Sequence, residues 1–187
     1  MGPIDEPALV AELRRGDAGA LERLYGAYRS RIFGFLLRLC RDRYTAEDLH
    51  QNTWLKVARA AHRLRDDSDL KAWLFTIARN EYKSHRRAQF LDFSRILAFG
   101  RERSGFSEPA REGDTDLGRV SEVLGELSDS DRELLLLVGV EGLEHRQAAA
   151  VLGISYAALR QRLARARRRF AERLGVVSEL EPLKCVK

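Results

Sequence analysis

The chain has few cysteines, few prolines and no long apolar run, and each shortage excludes something. Its two cysteines, Cys40 and Cys185, are too far apart for a metal-ligand motif or a disulfide framework. They read as reduced cytosolic thiols. The four prolines lie near the ends or in one suspected linker, which leaves room for long helices. No apolar stretch approaches the roughly 18 residues of a membrane-spanning helix. The opening MGPIDEPALV lacks the basic start and apolar core of a signal peptide. A cytoplasmic protein without direct membrane insertion is predicted. His50, His62, His85 and His145 are scattered without zinc spacing. There is no glycine-rich phosphate loop and no nucleophile motif. No enzyme, catalytic residue, cofactor or metal is expected.

What the chain does have is helix pattern and charge. Hydrophobic residues make up 44% and charged residues 33% of its 187 residues, with a net charge of +5. A modest basic excess suits a polyanion partner, and its distribution must decide. Residues Ala8 to Arg15 form a short amphipathic turn broken at Gly16-Asp17. Asp17 is a candidate cap for a helix running to about Cys40. Leu21, Leu24, Tyr25, Tyr28, Ile32, Phe33, Phe35, Leu36 and Leu39 recur there in steps of three and four, which buries one face.

The stretch from Thr45 to Arg87 organises the rest. Thr45, with Asp48 three residues on, reads as a capping box. The apolar stripe Ala46, Leu49, Thr53, Val57, Ala60, Leu64 follows, widened by Trp54, Ala58 and Ala61. Glu47, Asp48, Gln51 and Asn52 fall on the other side. After the polar loop Arg65–Ser68, Ser68 or Asp69 caps a helix that buries Leu70, Trp73, Leu74 and Ile77. Its second half carries Arg79, Asn80, Lys83, Arg86 and Arg87. Acid at the first start and base at the second end exceed what dipole matching requires. The segment 90–99, FLDFSRILAF, either extends this helix or packs on the bundle.

Residues 100–118, rich in glycine and acid, read as a flexible linker. Domains are expected at 1–99 and 119–187. In the second, Val120, Val123, Leu124 and Leu127 mark a short helix, and Ser128 caps the apolar helix at 129–140. Helix His145–Leu152, the stop at Gly153 and a second helix capped by Ser155 make a helix-turn-helix. Leu159, Leu163, Phe170 and Leu174 form that helix's buried stripe. Seven arginines lie between Arg160 and Arg173, opposed by one acid, Glu172. Charge runs are usually solvated faces, but these arginines are barely interleaved with acids and follow a helix-turn-helix. As a recognition helix it would place Arg160, Gln161 and Arg162 at base edges and Arg165, Arg167 and Arg168 near phosphates. The fold class is all-α: two small helical domains joined by a flexible linker, the C-terminal one a helix-turn-helix.

These residues resemble the sigma-70 family of bacterial RNA polymerase sigma factors, in its extracytoplasmic-function (ECF) subfamily. The first block carries AEDLHQNTW, similar to the family's A-E-D-L-x-Q-x-T-[FW], and then WLFTIARN. The second carries EGLEHRQAAAVLGISYAALRQRLARAR. The resemblance covers about residues 8–89 and 118–175. It implies binding of core RNA polymerase at the clamp helices of the largest subunit, through Glu47, Asp48, Gln51 and Asn52, and at the flap of the second subunit. It implies capture of a flipped base of the −10 element by Leu64, Arg65, Asp66 and Asn80, with Lys83, Arg86 and Arg87 holding the strand. It implies reading of −35 duplex by Ser155, Tyr156, Arg160, Gln161, Arg162, Arg165 and Arg168. An anti-sigma factor is an expected partner.

The resemblance expects a further acid at Thr45 and Glu at Asn52, so phosphorylation of Thr45 would restore charge. It also expects Ser where Glu144 precedes the helix-turn-helix. Two other classes remain open: a dimeric helix-turn-helix regulator that binds duplex DNA without polymerase, and a helical adaptor that leaves the arginine helix unexplained. The tail 176–187 has no assigned role.

Overall fold

The computed structural model describes residues 5–98 and 116–175. All regular structure among them is helical, and the chain divides into two compact units.

The first unit is built from α1 (Glu6–Arg14), α2 (Ala18–Cys40), α3 (Arg43–Ala60) and α4 (Leu70–Ala98). Asp5 and Asp17 cap α1 and α2, each accepting from a backbone N–H three residues on. Leu24, Ile32, Phe35 and Leu36 of α2 are fully enclosed, with Val57 of α3 and Leu70, Leu74 and Phe75 of α4. Each such side chain contributes about 1.5–3 kcal/mol. Phe35 and Phe75 meet edge to face at 5.2 Å. Phe75 therefore takes a core place that the sequence assigned to Trp73 and Ile77, both of which are only half-buried. Inside α3, Thr53 is buried and its hydroxyl donates to the Leu49 carbonyl at 2.7 Å.

The turn into α3 corrects one expectation. Asp42, not Thr45, caps this helix. The Asp42 carboxylate accepts from the Thr45 N–H at 2.8 Å. Arg41 supplies the reversal in a left-handed conformation, φ 58°. At the other end, α3 tightens into a 3-10 turn over Ala61–Arg63. Asp69 caps α4, accepting from Ala72 N–H at 2.8 Å, while the Ser68 hydroxyl accepts from Arg65 N–H. The apolar segment after Arg87 extends α4, with Phe90 and Leu91 exposed.

The second unit holds α5 (Asp116–Glu126), α6 (Asp129–Leu135), α7 (His145–Leu152) and α8 (Tyr156–Leu174). Helix α5 starts three residues before the expected domain start at 119. Ser128 caps α6 as the sequence predicts, accepting from Asp131 N–H. Helix α6 runs on as a π-helical turn over Leu136–Val140. Leu134, Leu136 and Leu137 are enclosed, as is Leu159 of α8.

Arg132 is buried within this apolar unit. Its guanidinium donates to the carbonyls of Leu124, Gly125 and Leu127, at 2.9, 2.7 and 3.1 Å. These include acceptors left open at the end of α5. Gly153, at φ 66°, turns the chain into α8.

Candidate polymerase and nucleic-acid surfaces

Helix α3 presents Glu47, Asp48, Gln51 and Asn52 to solvent. Glu47 is ion-paired with Arg43 at 2.9 Å, one turn back, so its charge is partly matched. Leu55 continues the stripe and is 48% exposed, an apolar side chain on a polar face. Sequence reasoning passed over it. Its signal was its spacing, four residues after Gln51 and seven after Asp48.

Thr45 does not offer an open hydroxyl beside this face. Hydrogen bonds from its side chain and backbone hold the Asp42 carboxyl below the usual carboxylate range. A phosphate at Thr45 would remove that donor and set a dianion against Asp42. The positive helix start offsets only part of such repulsion.

The second half of α3 turns basic. Lys56, Arg59, Ala60 and Arg63 line an open hollow of about 390 Å³ with Ile77, Asn80 and Glu81 of α4. Asn80 is exposed, so its amide is available to a ligand. The Glu81 carboxylate is buried beside it and receives Lys56 Nζ at 2.5 Å. Arg59 and Arg63 add cations that the sequence analysis left unassigned. The hollow lies within the size range of ligand sites and joins an amide to positive charge.

The proposed strand-holding residues divide. Lys83 and Arg87 follow Asn80 by three and seven residues, on one face of α4. Arg86 sits where its charge acts on the Cys40 thiol. Burial first, and Asp42 second, push that thiol up to about 12, which keeps it protonated at neutral pH. Of the loop residues, Leu64 is buried. Arg65 pairs with Asp67 at 3.1 Å, and Asp66 pairs with Arg14 of α1. The loop is therefore tied internally and to α1. His85 is a further residue the sequence left unused. Its Nε2 is buried without a hydrogen-bond partner among the described residues.

In the second unit, Tyr156, Arg160, Gln161, Arg162, Arg165 and Arg168 are all exposed on α8. The Ser155 hydroxyl is occupied as the N-cap, accepting from Ala158 N–H at 3.2 Å. Leu159, Leu163 and Ala166 face inward, whereas Phe170 and Leu174 are only half-buried. Two of the seven arginines are structural. Arg169 donates to buried Asp131 at 2.7 Å, and Arg173 to the Glu126 carbonyl at 2.7 Å. Arg168 leans toward Glu172 at 3.8 Å. Before the helix-turn-helix, the Gln147 side chain accepts from Glu144 N–H at 2.7 Å. That is the return half of a capping box, and it compensates for the missing serine.

These two surfaces, one on each unit, coincide with the parts of one protein class. The description Sigma-70 region 2 matches residues 24–90, and Sigma-70, region 4 matches residues 117–170. An ECF RNA polymerase sigma factor, SigM of Bacillus subtilis, is 30% identical over 80% of this chain and 91% of its own. The RNA polymerase sigma factor CarQ of Myxococcus xanthus is 33% identical over 90% of this chain and 96% of its own. Among solved structures, the sigma factor RpoE of Bartonella quintana, in complex with the anti-sigma factor NepR, superposes with a TM-score of 0.71. It is 32% identical and covers 84% of this chain and 98% of its own. The chain belongs to the sigma-70 family, in its ECF subfamily, and is a DNA-binding transcription initiation factor. No helix among the described residues is long and apolar enough to cross a membrane.

Proposed function

We propose that this sigma factor binds core RNA polymerase through the outer face of α3 and opens promoters at the hollow beside Asn80. Asp48, Gln51, Asn52 and Leu55 form the stripe offered to the clamp helices of the largest subunit. An apolar centre inside a polar frame suits such an interface. Glu47, already paired with Arg43, contributes less. The second unit meets the flap of the second subunit and reads −35 duplex through α8. Arg160, Gln161 and Arg162 lie nearest the helix start and address bases, while Arg165 and Arg168 address phosphates. The domain limits are those expected, 1–99 and 119–187, except that α5 carries the start of the second back to Asp116.

The observation that carries the −10 reading is the hollow itself. It sets the Asn80 amide among Lys56, Arg59 and Arg63, with Lys83 and Arg87 further along the same face. An amide reads the edge of an unstacked base, and the cations hold its strand. Capturing that base must offset a few kcal/mol of unstacking. With Leu64 buried, the loop contributes backbone and the Arg65 and Asp66 side chains. Because the relative from Bartonella quintana was crystallised with an anti-sigma factor, a partner of that kind is proposed here too.

The test is promoter opening by holoenzyme carrying Asn80→Ala. Core polymerase affinity and closed-complex formation should persist, while permanganate reactivity of the −10 thymines falls at least tenfold. Full reactivity would remove Asn80 from the role. Absence of any promoter-specific transcript from wild-type holoenzyme would favour the regulator that acts without polymerase.

A further inference from the structure

His50 lies between Asp48 and Gln51 on α3, at the position the family motif leaves open. Its ring faces α2. One atom of that ring, Nε2, has two partners with opposite requirements. The Trp54 indole N–H stands 2.9 Å away and can only donate. The Arg29 carbonyl stands 3.1 Å away and can only accept. A nitrogen bearing a lone pair serves Trp54, and a protonated one serves Arg29, so it cannot serve both at once.

We propose that His50 is a proton-operated latch across the α2–α3 seam. At neutral pH the imidazole carries its hydrogen on Nδ1, and Nε2 accepts from Trp54. On acidification a proton adds to Nε2, the bond to the indole breaks, and the new N–H donates to the Arg29 carbonyl. Trp54 then keeps its edge contact with Tyr25 at 4.8 Å but loses its hydrogen-bond acceptor.

The surroundings favour the neutral latch. Phe33 stands edge-on to the His50 ring at 5.7 Å, and the Tyr25 ring lies 6.4 Å away. The titratable and charged groups of the seam are Tyr25 and Arg29 on α2 and Arg43 and Glu47 on α3. Arg29 lies over the Tyr25 ring and Arg43 over Phe33, and Glu47 is spent on Arg43. No carboxylate in this set is left to stabilise an imidazolium. Burial accordingly lowers the His50 pKa below its ordinary 6.5, while the Arg29 carbonyl opposes the shift. A depressed folded-state value means the unfolded chain binds the proton first. The latch therefore stabilises the fold above about pH 6.5 and is lost as pH falls through the lower folded value. Any effect on polymerase affinity rests on the reading of α3 given above, but the latch itself does not.

Two measurements test it. In ring-nitrogen NMR of the full chain, His50 should be the Nδ1–H tautomer near neutrality. An Nε2–H tautomer there would overturn the proposal. In a Trp73→Phe background, Trp54 emission should shift between about pH 8 and about pH 5, with a midpoint below the ordinary histidine value. The shift should vanish in His50→Gln. A flat titration, or a shift retained in His50→Gln, would overturn it.

Discussion

Arg132 carries more of the second unit than any reading of its neighbours would suggest. It sits in the run DRELLLL, where a cation looks like the polar edge of an apolar helix. Instead its guanidinium closes three carbonyls around the end of α5. Replacing it with leucine would keep the bulk and strip the guanidinium from all three carbonyls, leaving Leu124 only its long bond from Leu127 N–H. Arg132→Leu should destabilise the second unit by about 3 kcal/mol, read as a drop in its thermal midpoint with the first unit unchanged. Trp73 and Phe75 make a similar point. Both fit an apolar stripe, and only the approach of Phe35 decides that Phe75 goes inside.

At the scale of elements, α3 depends on its cap. Asp42→Ala should cost about 1 kcal/mol, measured as a lower denaturant midpoint at neutral pH. The carboxyl is held below its ordinary value of 3.8 by its bonds to Thr45. Its contribution is therefore full above that value and disappears as pH falls through the lower folded value. The gap between wild type and Asp42→Ala should close under strong acid. The sequence read this helix correctly in kind and, apart from Ala58, which is exposed, in its buried face, but misplaced its start. Asp42 and Thr45 both fit the cap position, and Asp48 completes a capping box for Thr45. What separated them was the left-handed turn at Arg41, which no local preference for arginine foretells. The caps at Asp17, Ser128 and Ser155 were legible because each follows a break in pattern. The hollow beside Asn80 was only half legible. No local pattern marks Arg59 of α3 and Arg63 of the following turn as residues that line it with α4.

Across the whole molecule, charge has been apportioned rather than spread. The +5 net charge is small, yet α8 alone carries seven arginines, and two of them, Arg169 and Arg173, bond to Asp131 and Glu126 and tie the helix to its neighbours. If the outward ones meet DNA as proposed, Arg165→Ala should weaken promoter duplex binding about equally across sequences. It should also lower the salt slope of log Kd by about one, whereas Arg162→Ala should relax base preference. Fluorescence anisotropy of the full chain across a salt series separates the two. The inward register of α8, Leu159, Leu163 and Ala166, shares no position with its outward register. Mutations that rewrite what the helix reads therefore need not pass through an unstable intermediate. A duplicated copy of this gene could drift toward a new set of target promoters while its chassis stayed unchanged.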